Sequence, residues 1–408
     1  MKKRIFIAIH YLEIGGAETS LIGLLQLFDY SKVEVDLFIY RHQGELLAMI
    51  PKEVNLLPEI PAYAQIEAPL KETIKKGFWQ IAYGRLKAKW EHQQFVKRNR
   101  PIDGGAIFGY VAKNVTPYLP DINPDTTFDL AISFLTPHNI VLQKVKARKK
   151  VCWIHTDYTK VAVNAELELP IWGGYDHIVS ISEEVTASFL KVFPTLKEKI
   201  VLIENILSER FVRERAGDGL MFNDESLKSN SLNLKPSTLN LLSVGRFSYA
   251  KNYDNVPDIC RRIIEKGVDL LWYLIGYGGD EALIRQKIQE AGMEDHVIIL
   301  GKKTNPYPYI KACDIYVQPS RYEGKSVTVR EAQILCKPVI VTNYTTAPSQ
   351  IKDGIDGVIV PMDNAKCADG IVDYIKNKDL QSQIIDYLQT HHYGNEEEVE
   401  KVYQLCKE

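Results

Sequence analysis

Short apolar runs alternate with amphipathic stretches along most of the chain. Ile5–Ile9 is continuously apolar, Gly15 and Gly16 follow, and Leu21, Leu24, Leu25 and Phe28 then recur at helical spacing. That order predicts a strand, a tight turn and a helix. Val33–Tyr40, Phe128–Phe134, Val151–Ile154 and His177–Ser180 read as further strands, with helical segments between several of them. From 213 to about 238 the pattern fades into Gly, Asn, Ser and Asp, the composition of a linker or mobile surface loop. A second series then begins: strand Leu239–Val244, a helix around Val256–Ile264 stopped by Gly267, strand Val268–Ile275, and helix Glu281–Ala291 stopped by Gly292. Strands Val297–Leu300, Asp314–Val317 and Val339–Thr342 continue it. Strands that alternate with helices require parallel, doubly wound sheets. The expected organisation is α/β with two Rossmann-like domains, 1–208 and 209–385. Glu396–Cys406, with Asn395 as N-cap, reads as a closing helix within a C-terminal helical segment of about 386–408 that packs back on the first domain.

Composition narrows the class. With 408 residues the chain exceeds what one hydrophobic core serves. Its 45% hydrophobic content and formal net charge of -2 exclude a disordered chain and a globally basic nucleic-acid binder. Six cysteines without C-x-x-C or zinc-ligand spacing predict reduced thiols in a cytoplasmic protein. The first apolar run is cut by His10, too short for a secretory signal, and no uncharged apolar stretch has membrane-spanning length. Any membrane contact is therefore expected to be peripheral.

Chemistry concentrates in Pro319 to Ala332. Glu323 and Glu331 stand eight positions apart, with Gly324, Lys325, Ser326 and Val327 between a strand and a helix start. Treated as eight helical rises, that spacing is about 12 Å, close to the reach from a ribose to a sugar across a diphosphate. The helix start between them presents free N–H groups and a positive dipole end, which suit an anion. A capping box of Thr328 with Glu331 is the alternative on spacing alone. Strand Leu239–Val244 ends at Gly245 and Arg246, with Lys251 five positions on, so two cations stand where open α/β sheets bind ligands. No D-x-D pair and no His/Asp cluster of metal-ligand spacing occurs, so no metal or cofactor is expected and the cations meet the diphosphate charge. Gly16 offers close backbone approach at the first helix start, and His155 closes an apolar strand at its carboxyl end. The run Gly276-Tyr-Gly278-Gly279 fails the dinucleotide fingerprint at its sixth position and reads as a strand-to-helix turn.

Residues 71–100 carry nine basic side chains against Glu72 and Glu91, a net of +7, interleaved with Phe78, Trp79, Tyr83, Trp90 and Phe95. This composition suits an anionic membrane surface and equally a solvated helical face. The acidic remainder of the chain disfavours nucleic acid.

On Gly15-Gly16-Ala17-Glu18, Val244-Gly245-Arg246 with Lys251, Asp314 to Ser320, Glu323-Gly324 through Glu331-Ala332, and Pro338 to Asn343, the chain resembles glycosyltransferase family 4. These are retaining, nucleotide-sugar-dependent enzymes of the GT-B fold, with two facing Rossmann-like domains and a cleft between them. The resemblance implies that Arg246 and Lys251 bind the donor diphosphate and that Glu331 holds the ribose hydroxyls. Glu323, with the backbone of Gly324–Val327, would face the donor sugar, Gly16 would approach the phosphates, and His155 would lie beside the sugar. It implies a UDP-sugar donor, a glycan or lipid-linked acceptor, and a place in bacterial surface-polysaccharide synthesis. Two positions depart from the family pattern: Cys336 before Lys337-Pro338, and Tyr344-Thr-Thr-Ala347 where a Gly-containing turn is common. A nucleotide-sugar epimerase of the same fold and a noncatalytic sugar- or lipid-binding protein remain open as alternatives.

Overall fold

A computed structural model of the chain describes residues 2–13, 15–99, 105–159, 161–217 and 238–407. The chain divides into two units, Met1–Ile206 with Glu396–Glu408, and Leu207–Asn395.

The first unit is built on a seven-stranded parallel sheet: β1 (Lys3–Ile9), β2 (Val33–Ile39), β3 (Asn55–Leu56), β4 (Phe128–Ser133), β5 (Ala147–Ile154), β6 (His177–Ser180) and β7 (Ile200–Leu202), in the order β3-β2-β1-β4-β5-β6-β7. β1 pairs on both edges, Ile5 with Val35 and with Leu130, and Ile5 through Ile9 are fully buried. Burial on both faces is why this strand reads as an unbroken apolar run. The two- and three-residue edge strands β3 and β7 are too short to leave a periodic signal. Helix α1 (Gly16–Leu27) follows β1, while α2 (Trp79–Asn99) and α3 (Ile107–Val115) lie between β3 and β4 in the chain.

The second unit carries β8 (Leu239–Val244), β9 (Leu270–Ile275), β10 (Val297–Gly301), β11 (Ile315–Gln318), β12 (Val339–Thr342) and β13 (Val358–Val360), in the parallel order β10-β9-β8-β11-β12-β13. Its longer helices are α4 (Glu209–Gly217), α5 (Val256–Glu265), α6 (Glu281–Ala291), α7 (Tyr307–Ala312), α8 (Val327–Ile334), α9 (Asn364–Lys376) and α10 (Lys378–Thr390), with a single helical turn at Ala347–Gln350. Strand order reverses between β8 and β11, and the crevice at the carboxyl ends of such a pair is where open α/β sheets take ligands. The core between the strands admits one polar bridge: the buried Trp272 indole donates to Ser243 Oγ (2.9 Å), which donates to the Val317 carbonyl (2.6 Å). Both are satisfied, so the bridge orders β8, β9 and β11 without an orphan donor. Gly267 (φ 84°) and Gly292 (φ 65°) follow α5 and α6 in the left-handed conformation that closes a helix.

Three boundaries differ from the sequence expectation. The linker expected from 213 starts too early. α4 runs to Gly217, with Val212 and Ala216 buried, Phe211 edge-on to Tyr307 (5.9 Å), and Glu209–Arg213 and Arg210–Glu214 pairs one turn apart. Those i,i+4 pairs make the segment polar without making it a loop; residues 218–237 lie outside the described residues. The expected closing helix over 386–408 is two helices. Ile384 and Leu388 of α10 belong to the second unit's core, and only α11 (Glu398–Leu405) joins the first unit. Asn395 is not an N-cap. Its side chain accepts from the Leu207 backbone N–H (2.8 Å), and the N-cap position of α11 falls on Glu397, whose side chain makes no capping hydrogen bond. α11 is fixed in the first unit by the Tyr403 hydroxyl, which accepts from the Asp29 N–H (2.6 Å), and by Glu398, which accepts from the Glu204 N–H (2.9 Å). All six cysteines are free thiols, five of them buried.

Candidate functional site

Most candidates gather at the carboxyl ends of β8 and β11. β8 ends in Gly245, and the chain from Gly276 to Gly278 runs backbone against backbone beside it. The Gly245 N–H donates to the Ile275 carbonyl (2.9 Å) and the Phe247 N–H to the Tyr277 carbonyl (2.8 Å). A Cβ on Gly276 would lie 1.9 Å from the Gly245 carbonyl oxygen, and one on Gly278 2.2 Å from that of Phe247. These glycines set the course of the loop that presents Arg246. The strand-to-helix turn therefore does more than reverse the chain, and a Gly-x-Gly directly after a strand was the signal for it.

After Arg246, the short turn Tyr249–Lys251 ends at Asn252 in the left-handed conformation (φ 61°). The buried Asn252 side chain donates to the Pro319 carbonyl (2.8 Å), and Arg321 forks onto Asp254 (2.9 and 2.7 Å). The two loops are thus knitted together on either side of the strand reversal. Across that seam Lys251 Nζ meets Glu323 Oε1 at 2.6 Å, both side chains being less than a fifth exposed. The same oxygen accepts from Gln318 Nε2 (3.0 Å) and Ser320 Oγ (2.6 Å). A carboxylate oxygen with three donors is fully used, and its charge holds the lysine in place. Glu323 Oε2 and the Arg246 guanidinium make no hydrogen bond or ion pair among the described residues. An ammonium has three donors, so Lys251 keeps two beyond Glu323.

Beyond Glu323 the chain enters α8. No side chain caps the helix start at Ser326, which leaves the amides of its first turn for an anion. The Thr328–Glu331 capping box does not form, since Ser326 is the N-cap residue and its hydroxyl pairs with Thr328 Oγ1 (3.1 Å). One expected donor is already taken: the Ser326 N–H donates to Gln350 Oε1 (3.1 Å), whose amide nitrogen donates back to the Ser326 carbonyl (3.1 Å). The Tyr344 hydroxyl also donates to Gln350 Oε1 (3.1 Å), and Thr346 Oγ1 donates to the Glu323 carbonyl (3.1 Å). The segment that departs from the family pattern is therefore the clamp on the Glu323–Ser326 loop.

Glu331 lies one turn inside α8, 3% exposed, its Oε1 accepting from the Tyr307 hydroxyl (3.0 Å). Only its last four steps from Glu323 are helical, so helical rise accounts for about 6 Å rather than 12 Å. Burial pushes its pKa from the ordinary 4.5 up to about 7, against the lowering effect of the Tyr307 hydrogen bond. A carboxyl whose folded pKa is raised loses stability as pH climbs through the interval from 4.5 to 7. In the ligand-free protein Glu331→Gln is therefore expected to melt at a progressively higher temperature than wild type between pH 5 and pH 8. The limit is about 3 kcal/mol at pH 8. Parallel melting curves at every pH would contradict the burial argument.

The other two candidates belong to the first unit. Gly16 is the exposed first residue of α1, after N-cap Gly15. The Glu18 carboxylate folds over this start, 2.2 Å from where a Gly15 Cβ would stand. His155 follows β5, its ring against Phe134 (centroids 4.8 Å) and beside Asn205, with both ring nitrogens shielded from solvent. Burial lowers its pKa to about 4, so at neutral pH it is an uncharged hydrogen-bonding group and not an acid. Sheet order sets β4 between β1 and β5.

The basic segment is smaller on the surface than in the sequence. Arg85 points inward, donating to the carbonyls of Gln65 (3.0 Å) and Ala68 and to Thr73 Oγ1 (3.3 Å). Lys76 pairs with Glu72 (2.6 Å), and Arg100 lies outside the described residues. Among the described residues no group of three or more His, Cys, Asp or Glu side chains has metal-site geometry.

Residues 224–391 match the family described as Glycosyl transferases group 1. An amylovoran biosynthesis glycosyltransferase, AmsD of Erwinia amylovora, is 29% identical over 199 residues, 45% of this chain and 54% of that protein. An Escherichia coli UDP-Gal:alpha-D-GlcNAc-diphosphoundecaprenol alpha-1,3-galactosyltransferase is 26% identical over 145 residues, 35% of this chain and 38% of that one. The matches span about half or less of these curated relatives. Among solved structures, Anabaena Alr3699/HepE in complex with UDP and glucose superposes with a TM-score of 0.68 at 13% identity, covering 99% of each chain. The fold is GT-B, with two Rossmann-like parallel-sheet domains.

Proposed function

We propose that this chain is a retaining glycosyltransferase of family 4 that moves a hexose from a UDP-sugar to a glycan or lipid-linked acceptor in bacterial surface-polysaccharide synthesis. The observation that carries the reading is the Lys251–Glu323 pair, with Arg246 on the loop after β8 and the uncapped start of α8 beyond, at the strand reversal of the second unit. The relatives named above, which act in amylovoran synthesis and on a diphosphoundecaprenol acceptor, support the substrate class.

In this reading the second unit holds the donor and the first takes the acceptor side, with Gly16 serving the donor phosphates and His155 the donor sugar. As the glycosidic C–O bond breaks, negative charge grows on the β-phosphate. The two remaining Lys251 donors and the α8 amides are held where that charge develops, and the Arg246 guanidinium, unpaired among the described residues, reaches it from the end of β8, so together they stabilise the transition state more than the ground state. Glu323 orients Lys251 through Oε1 and offers Oε2 to a sugar hydroxyl. Glu331 takes the ribose hydroxyls, exchanging its Tyr307 contact for ligand. Neutral His155 donates or accepts a hydrogen bond at the sugar without adding charge. The phosphate accepts the proton of the attacking hydroxyl on the leaving-group face, which retains configuration, and Arg246 and Lys251 offset its charge without a metal ion. The protein acts in the cytoplasm, at an anionic membrane met by residues 71–100.

The test is purified protein with a UDP-sugar, with and without a lipid-linked or oligosaccharide acceptor, in EDTA. The reading predicts UDP release only with acceptor and an α-linked product from an α-linked donor. Acceptor-independent conversion of the donor sugar would identify an epimerase. Donor binding with no turnover on any acceptor would favour a noncatalytic binder.

A further inference from the structure

α2 is apolar on two opposite faces. Ile81, Ala82, Gly84 and Ala88 are buried against the first unit, and the Gly84 position is so close to the Asn114 carbonyl oxygen that a Cβ would stand 2.4 Å from it. At about 100° per residue, Trp79, Tyr83, Leu86 and Trp90 fall within about 60° of one another, opposite Ile81, Gly84 and Ala88, with the small Ala82 on the flank between Leu86 and Lys89. They are 65%, 59%, 51% and 60% exposed. The ridge is about 16 Å long. Lys87 and Lys89 flank it at about 80° on either side, and Lys97 continues its line. The exposed positions of α2 include no acid: its one acidic residue, Glu91, is turned aside to Lys113 (3.1 Å) and Asn114 (3.0 Å), with its other oxygen 4.0 Å from Lys87. A water-facing helix does not spend two tryptophans, a tyrosine and a leucine on one exposed line, because each leaves apolar area in water.

We propose that this ridge lies in the headgroup layer of an anionic bilayer, with the aromatic rings at the level of the glycerol backbone and Lys87, Lys89 and Lys97 on lipid phosphates. Tryptophan and tyrosine suit that depth, having an apolar body and a polar tip, and lysine stems reach from there to the phosphates. The absence of acid along the exposed face fits an anionic surface rather than a mixed-charge protein partner. No helix among the described residues is long and apolar enough to cross a membrane, so the contact lies in the plane of the interface. This deepens the proposed membrane contact of residues 71–100 and rests on it. It replaces a diffuse basic cluster by an aromatic line with lysine flanks, from which Arg85 is absent.

The protein supplies its own probe. Of five tryptophans, Trp153, Trp172 and Trp272 are buried, so Trp79 and Trp90 alone report a change at the surface. The full chain is mixed with vesicles of phosphatidylglycerol and phosphatidylcholine, with and without brominated acyl chains, and emission and flotation are read together. The proposal predicts a blue shift, quenching by the brominated chains, and vesicle affinity lower by on the order of tenfold for each of Trp79→Ser and Trp90→Ser. Lys87→Gln with Lys89→Gln weakens binding to the anionic vesicles and reduces its salt dependence while leaving some insertion. Absence of any shift or quenching in wild type overturns it. So does flotation that survives both serine substitutions, which would make the contact one of charge alone, and so does lipid-free dimerisation lost in Trp79→Ser, which would assign the ridge to a second copy. UDP-induced stabilisation, measured in the same samples, separates this from the transferase reading: vesicle insertion without UDP binding removes the latter and leaves the ridge, and the reverse outcome does the opposite.

Discussion

Lys251→Ala is expected to lower kcat by about 10²- to 10³-fold, the range for removing one preorganised donor from a developing oxyanion. The lysine is held by a 2.6 Å pair to Glu323 in a site less than a fifth exposed, so its charge is in place before substrate arrives. Alanine removes that charge and leaves Glu323 Oε1 with Gln318 and Ser320 as donors. Because two of three donors remain, the loss of stability should be modest, about 1–2 kcal/mol. Activity and stability therefore separate: a large fall in kcat with a folded protein. Glu323→Gln should cost less than Lys251→Ala, since the amide oxygen still accepts from the lysine, and the double variant should be far from additive because both changes act through one contact. Steady-state kinetics on the three variants, with melting temperatures, checks this. A Lys251→Ala enzyme within threefold of wild type would remove the residue from the mechanism.

The largest effect on folding is expected at Gly276. Its φ of 156° and the 1.9 Å approach of a Cβ to the Gly245 carbonyl mean that Gly276→Ala must push apart two backbone segments whose hydrogen bonds fix each other. Neither segment has a flexible side-chain end that yields, so the cost is about 3 kcal/mol or more, and the displaced loop carries Arg246. Nucleotide affinity should fall with stability. Gly279, three residues on, is the control, since a Cβ there meets nothing within 4 Å, and Gly279→Ala should stay within about 0.5 kcal/mol of wild type. Denaturant unfolding and nucleotide titration of both variants read the difference. Equal stability of the two would show that the Gly276 contact relaxes without cost.

The alternation of strands and helices was plain in the sequence where elements were buried on both faces or ended in glycine. β8, β12 and α6 begin and end at the predicted residues, because continuous apolar runs and the Gly292 stop have no competing reading. Short edge strands such as β3 left no pattern, and α4 was hidden by charged residues that pair within the helix. In the site, Arg246, Lys251, Glu323 and Glu331 stood out by residue type and by their place after strands. Their partners did not. Gln318, Ser320, Asn252, Thr346 and Gln350 are common polar residues whose roles depend on contacts across as many as 67 positions of sequence, as between Asn252 and Pro319. The two departures from the family pattern acquire physical meaning only in three dimensions. Cys336 takes a left-handed conformation (φ 56°) after α8, which glycine adopts more easily, and Tyr344 and Thr346 supply the clamp on the Glu323–Ser326 loop. The basic segment illustrates the opposite error, since net charge along a sequence says nothing of which side chains turn inward, as Arg85 does.

The central claim is that the strand reversal of the second unit binds a nucleotide diphosphate through Arg246 and Lys251. Thermal shift and calorimetry with UDP, GDP and their sugars, in EDTA, on wild type and Arg246→Ala, test it most directly. Arg246 has no partner to lose among the described residues, so the substitution leaves the fold alone. The account predicts stabilisation by UDP or a UDP-sugar that survives EDTA and is lost in Arg246→Ala. Stabilisation by no nucleotide, or only with added Mg²⁺, would contradict the assignment of both cations and with it the transferase reading.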